Sequence, residues 1–331
     1  MPLKDITILI LTFNRYKYLE RILTYYKLCD VNCKIIILDS STNKDIKNNR
    51  LKSLLNQEQI AWLKFPADTF ISCKIREGLE KVDTQFSVLC ADDDFVLPKG
   101  IARCVDFLNF NPSYISAQGA RMIHQLLPNG TVKRNGWAPY RKSIINKCPE
   151  KRFLALFEKQ YASYPYYAVY RRDAQLEIWK NASSLLANGF MEILPVALSL
   201  IHGKTKILKT MYLSSEANLF SWATKEKFND LYKENLVKQY QIIIEESLQS
   251  FICGYQMSKG TLKVLLKPFK WQETNNGLCN KISRRIFAIS ERIKVALNPK
   301  IYQAAELKLV DSLIKEFNLG DEEIVASREN Y

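Results

Sequence analysis

The chain has 331 residues, with 48 lysines and arginines against 34 aspartates and glutamates, for a formal net charge of +14. Its 47% apolar and 25% charged residues are those of a globular protein, which excludes long disorder, collagen and coiled-coil rods. No run approaches the ~18 uncharged apolar residues of a membrane span.

The apolar segment Ile6–Thr12 reads as a strand covered on both faces, not a signal peptide, because it is short and runs through Phe13 into Asn14-Arg15. Tyr16–Leu28 follows at helical spacing, Lys34–Leu38 is a second buried strand, and Asp39-Ser40-Ser41-Thr42-Asn43 is a loop of turn formers. Asp45–Gln57 is expected to be helical and Ile60–Phe65 a third strand. Cys73–Val82 is expected to be a helix, and Phe86–Ala91 a fourth strand running into Asp92-Asp93-Asp94. Pro98 opens a helix to about Phe110, and Ser113–Gln118 is a fifth strand. Alternation of this kind predicts an α/β fold with a mainly parallel sheet flanked by helices, whose ligands sit beyond the carboxyl ends of the strands. Three such ends are polar: Thr12–Arg15, Asp39–Ser41 and Asp92–Asp94.

Further on, Met122–Val132 reads as a β-hairpin around Pro128-Asn129-Gly130, and Tyr161–Tyr170 is dense in tyrosine. Met191–Ile201 is a short helix with Pro195 in its first turn; His202 and Gly203 close it. Long helical patterns cover roughly 225–257, 281–297 and 301–318. Residues 259–309 hold 11 Lys+Arg and 3 Glu, net +8, more than half of the total charge. Within them 281–297 combines an isoleucine face with Lys281, Arg284, Arg285, Arg292 and Lys294, either a helix packed on the core or a seat on an anionic membrane surface. No nucleic-acid reader motif accompanies the charge, so no nucleic acid is expected. Eight scattered cysteines without a CxxC pair, and only His124 and His202, give no zinc spacing and point to reduced thiols in the cytoplasm.

Three consecutive carboxylates at a buried strand end repel one another and call for a cation. Hard oxygen ligands suit Mg²⁺ or Mn²⁺, which would hold the diphosphate of a nucleotide. The alternative is an acidic turn complementing the dipole of the helix at Pro98.

ITILILTFNR, KIIILDSS and SVLCADDDFVLPKGI together resemble the nucleotide-binding half of GT-A fold glycosyltransferases, and among them the family-two-like inverting enzymes. The likeness covers about residues 5–110 well and 185–205 more weakly. It implies that Thr12, Phe13, Asn14 and Arg15 line the nucleoside pocket, that Asp39 meets the base or ribose, and that Lys74 and Arg76 lie near the donor. It also implies Asp94 as direct ligand of Mn²⁺ or Mg²⁺, Asp93 as second ligand or sugar partner, and Asp92 beside them, although Ala91 stands where the family more often has an acid. The family places its general base at the start of a short helix, here Glu192. Each residue also has a plainer reading: Asn14 as a helix cap, Asp39 as a turn holder, Lys74 and Arg76 as a solvated face, and Glu192 as a first-turn charge. Trp137 and the Tyr161–Tyr170 tyrosines either stack on an acceptor sugar or pack in the core.

The implied organisation is a nucleotide-sugar half over 1–120, an acceptor-side segment completing the GT-A domain over 121–222, and a helical basic region over 223–331. The implied reaction moves a sugar from a nucleotide-diphosphate donor, with UDP favoured, to a hydroxyl of a glycan or lipid-linked glycan in surface polysaccharide synthesis. It would take place in the cytoplasm, at most peripherally on the inner face of the membrane. A sugar-nucleotide nucleotidyltransferase would normally carry a glycine-rich first loop, and TFNRYKYL has no glycine. A non-catalytic relative would have less reason to keep the aspartate run.

Overall fold

In a computed structural model the described residues are 2–42, 46, 48–127, 129–135, 143–157, 164–216, 233–265 and 305–317. The amino-terminal half is a run of parallel strands. β1 (Pro2–Thr12) lies between β2 (Asn32–Asp39) and β4 (Phe86–Ala91), with β3 (Ile60–Lys64) outside β2. Side chains alternate along each strand, so Ile8 and Ile10 enter one core while Leu9 enters the other. β1, β2 and β4 hold continuous apolar runs because both faces are covered, whereas the edge strand β3 has no buried residue.

Beyond β4 the sheet changes direction. β5 (Asp94–Val96), β6 (Tyr114–Leu126), β7 (Val132–Asn135), β8 (Val169–Arg171) and β9 (Lys204–Glu216) complete one sheet of order β3-β2-β1-β4-β8-β6-β9-β5, with β7 on the far end of β6. β8 pairs antiparallel with β4 and β6, whereas β6 and β9 are parallel along almost their whole length. The expected hairpin is present, with Leu126 opposite Val132. The expected fifth strand and the first hairpin arm, however, are one continuous strand. Gly119 interrupts the apolar pattern for a steric reason: a Cβ there would stand 2.3 Å from the Thr210 carbonyl oxygen, where β6 and β9 slip register.

One face carries α1 (Tyr16–Leu28), α2 (Asn49–Leu55) and α4 (Pro98–Phe110); the other carries α3 (Ile71–Glu80), α5 (Pro149–Phe157), α6 (Arg172–Ala182) and α7 (Ile193–His202). α2 is shorter than its pattern because Asn48 caps it, accepting from the backbone N–H of Arg50 at 2.8 Å and Leu51 at 3.2 Å. α3 starts two residues earlier than expected, at Ile71, and stops at Glu80. α4 begins at Pro98 as expected and sits close on β9, since a Cβ on Gly100 would be 2.6 Å from the Met211 carbonyl oxygen and 2.8 Å from the Tyr212 Cα. Both neighbours are backbone and cannot step aside, so Gly100→Ala should cost about 1–3 kcal/mol of stability in chemical denaturation.

The carboxy-terminal region contributes α8 (Glu234–Gln249), α9 (Lys259–Leu265) and α10 (Ala305–Phe317) among the described residues. They do not stand apart from the sheet. Tyr240, Ile244 and Leu248 of α8 join the core under α7, while Val310, Leu313 and Ile314 of α10 join the core with α1. α10 is also tied by polar contacts. Arg134 and His124 both reach Asp311, His124 at 3.2 Å, and Glu306 accepts from the Lys99 backbone N–H at 3.0 Å. Trp137, Tyr161 and the basic segment 281–297 lie outside the described residues, and no described helix is long and apolar enough to cross a membrane.

Candidate active site

Thr12 lies opposite Asp39 on the β1–β2 ladder, and Leu11 lies opposite Ala91 on β1–β4, so all three polar strand ends share one edge. The first loop leaves β1 through Asn14, whose φ of 53° is a left-handed conformation that asparagine tolerates better than most residues. Asn14 does not cap α1. Its backbone N–H donates to Ser41 Oγ at 2.8 Å, and its Oδ1 accepts from the Thr42 backbone N–H at 2.9 Å, so it ties the β1 loop to the β2 loop. Arg15 takes the N-cap position instead, without a side-chain cap, and Phe13 is half-buried before it.

Arg15 turns to the aspartate run. Its guanidinium donates to Asp93 Oδ2 at 2.9 Å and pairs with Asp92, while its plane stands 5.1 Å from the centre of the Tyr18 ring. Asp92 is fully buried and also accepts from Thr12 Oγ1 at 2.7 Å. Burial pushes Asp92 up to about 6 against the pull of Arg15, with the neighbouring Asp93 charge adding to the rise. For Asp93, burial acts upward but is outweighed, and Arg15 and Arg21 hold its carboxyl below the usual range. Asp94 is the first residue of β5. It lies opposite Ser215 on the β5–β9 ladder, and burial with the Asp93 charge pushes its carboxyl up to about 7 against the pull of Arg121.

Beneath this cluster lies an ion pair that no motif announced. Arg21 is fully buried; Nη1 pairs with Glu216 at 2.6 Å and Nη2 donates to the Asp93 carbonyl oxygen at 3.2 Å. The Tyr18 and Phe95 rings enclose its guanidinium at 4.7 and 5.1 Å.

Asp39 is also wholly buried. It accepts from Tyr16 Oη at 2.8 Å, Trp62 Nε1 at 3.1 Å and the Ser41 backbone N–H at 2.8 Å. The turn-holding reading therefore describes what Asp39 does in this structure, and the half-buried Tyr16 and Trp62 rings are the parts of that wall nearer solvent. Lys74 is buried and donates to Ser40 Oγ at 2.7 Å; burial brings it down to about 8, with Asp39 and Asp92 opposing. Arg76 is not brought to the cluster. It lies 3.4 Å from Glu77 and 3.9 Å from Glu80 on the outer face of α3.

Glu192 is the half-buried N-cap of α7, just ahead of the first turn. Tyr167 lies in a 3-10 turn (Tyr164–Tyr167). Burial pushes the Tyr167 phenol well above its ordinary range, and Asp94, Tyr166, Asp93 and Glu192 each add to the rise. Tyr167 was hidden in a tyrosine-rich run with no period to single it out.

The residues fit a divalent ion in one respect. Asp92 and Asp93 meet at a single positive group, the Arg15 guanidinium, which stands where a cation would be shared. Mg²⁺ or Mn²⁺ characteristically takes one or two carboxylates and completes its shell with phosphates and water. No three His, Cys, Asp or Glu side chains converge among the described residues. Asp94, expected as the direct ligand, is the first residue of β5 and lies opposite Ser215 of β9.

A parallel half-sheet with a polar carboxyl edge, continued by a long β6–β9 pair, is the GT-A glycosyltransferase fold. The glycosyl transferase family 2 model matches residues 7–179, just over half of the chain, and the chain belongs to that family of glycosyltransferases. Among solved structures, S. aureus TarS 1–349 in complex with UDP-GlcNAc aligns with 85% of this chain and 76% of its own at 12% identity, TM-score 0.53. S. aureus TarS 1–349 aligns with 84% of this chain and 74% of its own, also at 12% identity, TM-score 0.51. The structure of S. aureus TarS aligns with 83% of this chain at 13% identity, TM-score 0.50, and this chain spans only 44% of that one. At such identity the likeness speaks for the fold. A search of curated protein sequences finds no match to this chain.

Proposed function

We propose that this protein transfers a sugar from a nucleotide-diphosphate donor to a hydroxyl of a glycan or lipid-linked glycan, with inversion, in surface polysaccharide synthesis. The observation that carries the reading is the shared strand-end edge, where Thr12 lies opposite Asp39, Arg15 pairs with Asp92 and Asp93, and the buried Lys74 donates to Ser40. UDP is the first nucleotide to test, because the TarS 1–349 fold is recorded with UDP-GlcNAc.

In this reading Tyr16 and Trp62, braced by Asp39, form the nucleoside wall, and the Asn14–Ser41–Thr42 bonds hold its two loops at fixed spacing. Glu192 accepts the proton of the acceptor hydroxyl as that oxygen attacks the anomeric carbon. A single displacement from the face opposite the departing diphosphate inverts the anomeric centre. Arg15 and Lys74 oppose the negative charge that grows on the leaving group. Asp92 and Asp93 would hold Mn²⁺ or Mg²⁺, which when bound supplies further positive charge at the diphosphate. A peripheral position on the inner face of the membrane would bring lipid-linked acceptors within reach, with 281–297 as the candidate contact.

Thermal shift against UDP, GDP, CDP and CMP, each with and without Mn²⁺, tests the donor class. A stabilisation specific to one nucleoside diphosphate is expected, and no response to any of them would overturn the donor-site reading. Lys74 adds a pH signature. It is protonated below about 8, so diphosphate affinity should fall as pH rises from 7 to 9. Calorimetric titration of wild type and Lys74→Met checks this, since the variant should bind weakly at both pH values without that fall.

A further inference from the structure

We propose that Arg15 is a built-in occupant of the cation seat formed by Asp92 and Asp93, so that a divalent ion enters only once a nucleotide diphosphate has drawn Arg15 away. The inference rests on the donor-site reading above and concerns the order in which that site fills.

One guanidinium spans both carboxylates, pairing with Asp92 and donating to Asp93 at 2.9 Å. The carboxylates cannot easily move off to leave it. Asp92 is held by Thr12 at 2.7 Å, and the Asp93 backbone is held by Arg21 at 3.2 Å. Arg15 is the most exposed member of the set. Its side chain is 32% exposed against 0% for Asp92 and 18% for Asp93, and it is the N-cap of α1 without a side-chain capping bond. A free divalent ion approaching this edge would therefore meet two carboxylates already engaged by one guanidinium, and would have to displace it to bind.

A diphosphate changes that balance. Its oxygens offer the guanidinium the same fork geometry as the carboxylates, with comparable charge. Transfer of Arg15 to the diphosphate exposes Asp92 and Asp93 just as phosphate oxygens arrive to complete a metal shell. Arg15 therefore couples two binding events, and by linkage each ligand should tighten the other by the same factor.

The test is Mn²⁺ binding followed by the electron paramagnetic resonance signal of free Mn²⁺, using the full chain and correcting for Mn²⁺ held by UDP alone. Wild type is expected to bind Mn²⁺ about tenfold or more tightly with saturating UDP than without it. Arg15→Gln should bind Mn²⁺ without UDP about tenfold or more tightly than wild type does, and the benefit of UDP should shrink accordingly. Arg15→Lys keeps the charge but can reach only one carboxylate at a time, so it should fall between the two; it carries the test if the glutamine variant does not fold. Mn²⁺ affinity without UDP that is the same in wild type and the Arg15 variants would overturn the proposal. UDP binding is measured separately by calorimetry. Failure of wild type to bind UDP would sink the donor reading, whereas the Mn²⁺-only comparison of variants would still judge the Arg15 seat on its own.

Discussion

Glu192→Gln is expected to lower kcat by about 10²–10⁴-fold, the usual contribution of a positioned general base. Glutamine keeps the size and polarity of the side chain but cannot accept the acceptor's proton. The N-cap position makes this a clean substitution, because Glu192 makes no side-chain capping bond to α7 that the change would break. Donor binding should survive, since Arg15, Asp92, Asp93 and Lys74 sit on the strand ends and α3. The check is a steady-state assay of sugar transfer beside calorimetric titration with UDP. Wild-type turnover in the variant would remove Glu192 from the chemistry, and joint loss of turnover and UDP binding would make it part of the binding wall instead.

The largest effect on stability should come from Arg21→Met, at about 3–5 kcal/mol in chemical denaturation. Arg21 is fully buried against Glu216, whose side chain is 4% exposed, so removing the arginine strands a carboxylate in the interior. It also removes the donor to the Asp93 carbonyl oxygen and the cation between Tyr18 and Phe95. Burial already raises the Glu216 carboxyl, and Arg21 is the main group opposing that rise. Without Arg21 the native state favours protonated Glu216 more strongly than the unfolded chain does. The loss should therefore be smaller at pH 5 than at pH 8. The double variant Arg21→Met with Glu216→Leu should recover much of the deficit, because an apolar pair can replace a buried ion pair at little cost. Equal stability of the single variant and wild type would show that the pair contributes nothing net.

The parallel half of the sheet was legible in the sequence because β1, β2 and β4 are buried on both faces and therefore read as apolar runs. The position of the site followed from those same strands, since their carboxyl ends are where the polar clusters begin. What could not be read depended on partners far away in the chain. Arg21 and Glu216 are an ordinary helical arginine and a strand-end glutamate until folding joins them. Arg76 and Lys74 look alike in sequence, yet one helix step turns the first to Glu77 and Glu80 and the second inward to Ser40. Three aspartates in a row suggested one ligand set. Asp92 and Asp93 pair with Arg15, whereas Asp94 opens β5 opposite Ser215 of β9.

The seating of α10 against α1 has a consequence for how the protein is made. Leu28, the last residue of α1, and Ala305, the first of α10, are 277 positions apart. At ribosomal speeds of about 5–20 residues per second, the surface prepared for Val310, Leu313 and Ile314 waits roughly 15 s to 1 min for its cover after α1 has emerged. Until then the nascent chain presents a greasy seam to the cell, and an interrupted synthesis would release it uncovered, as a ready substrate for chaperones.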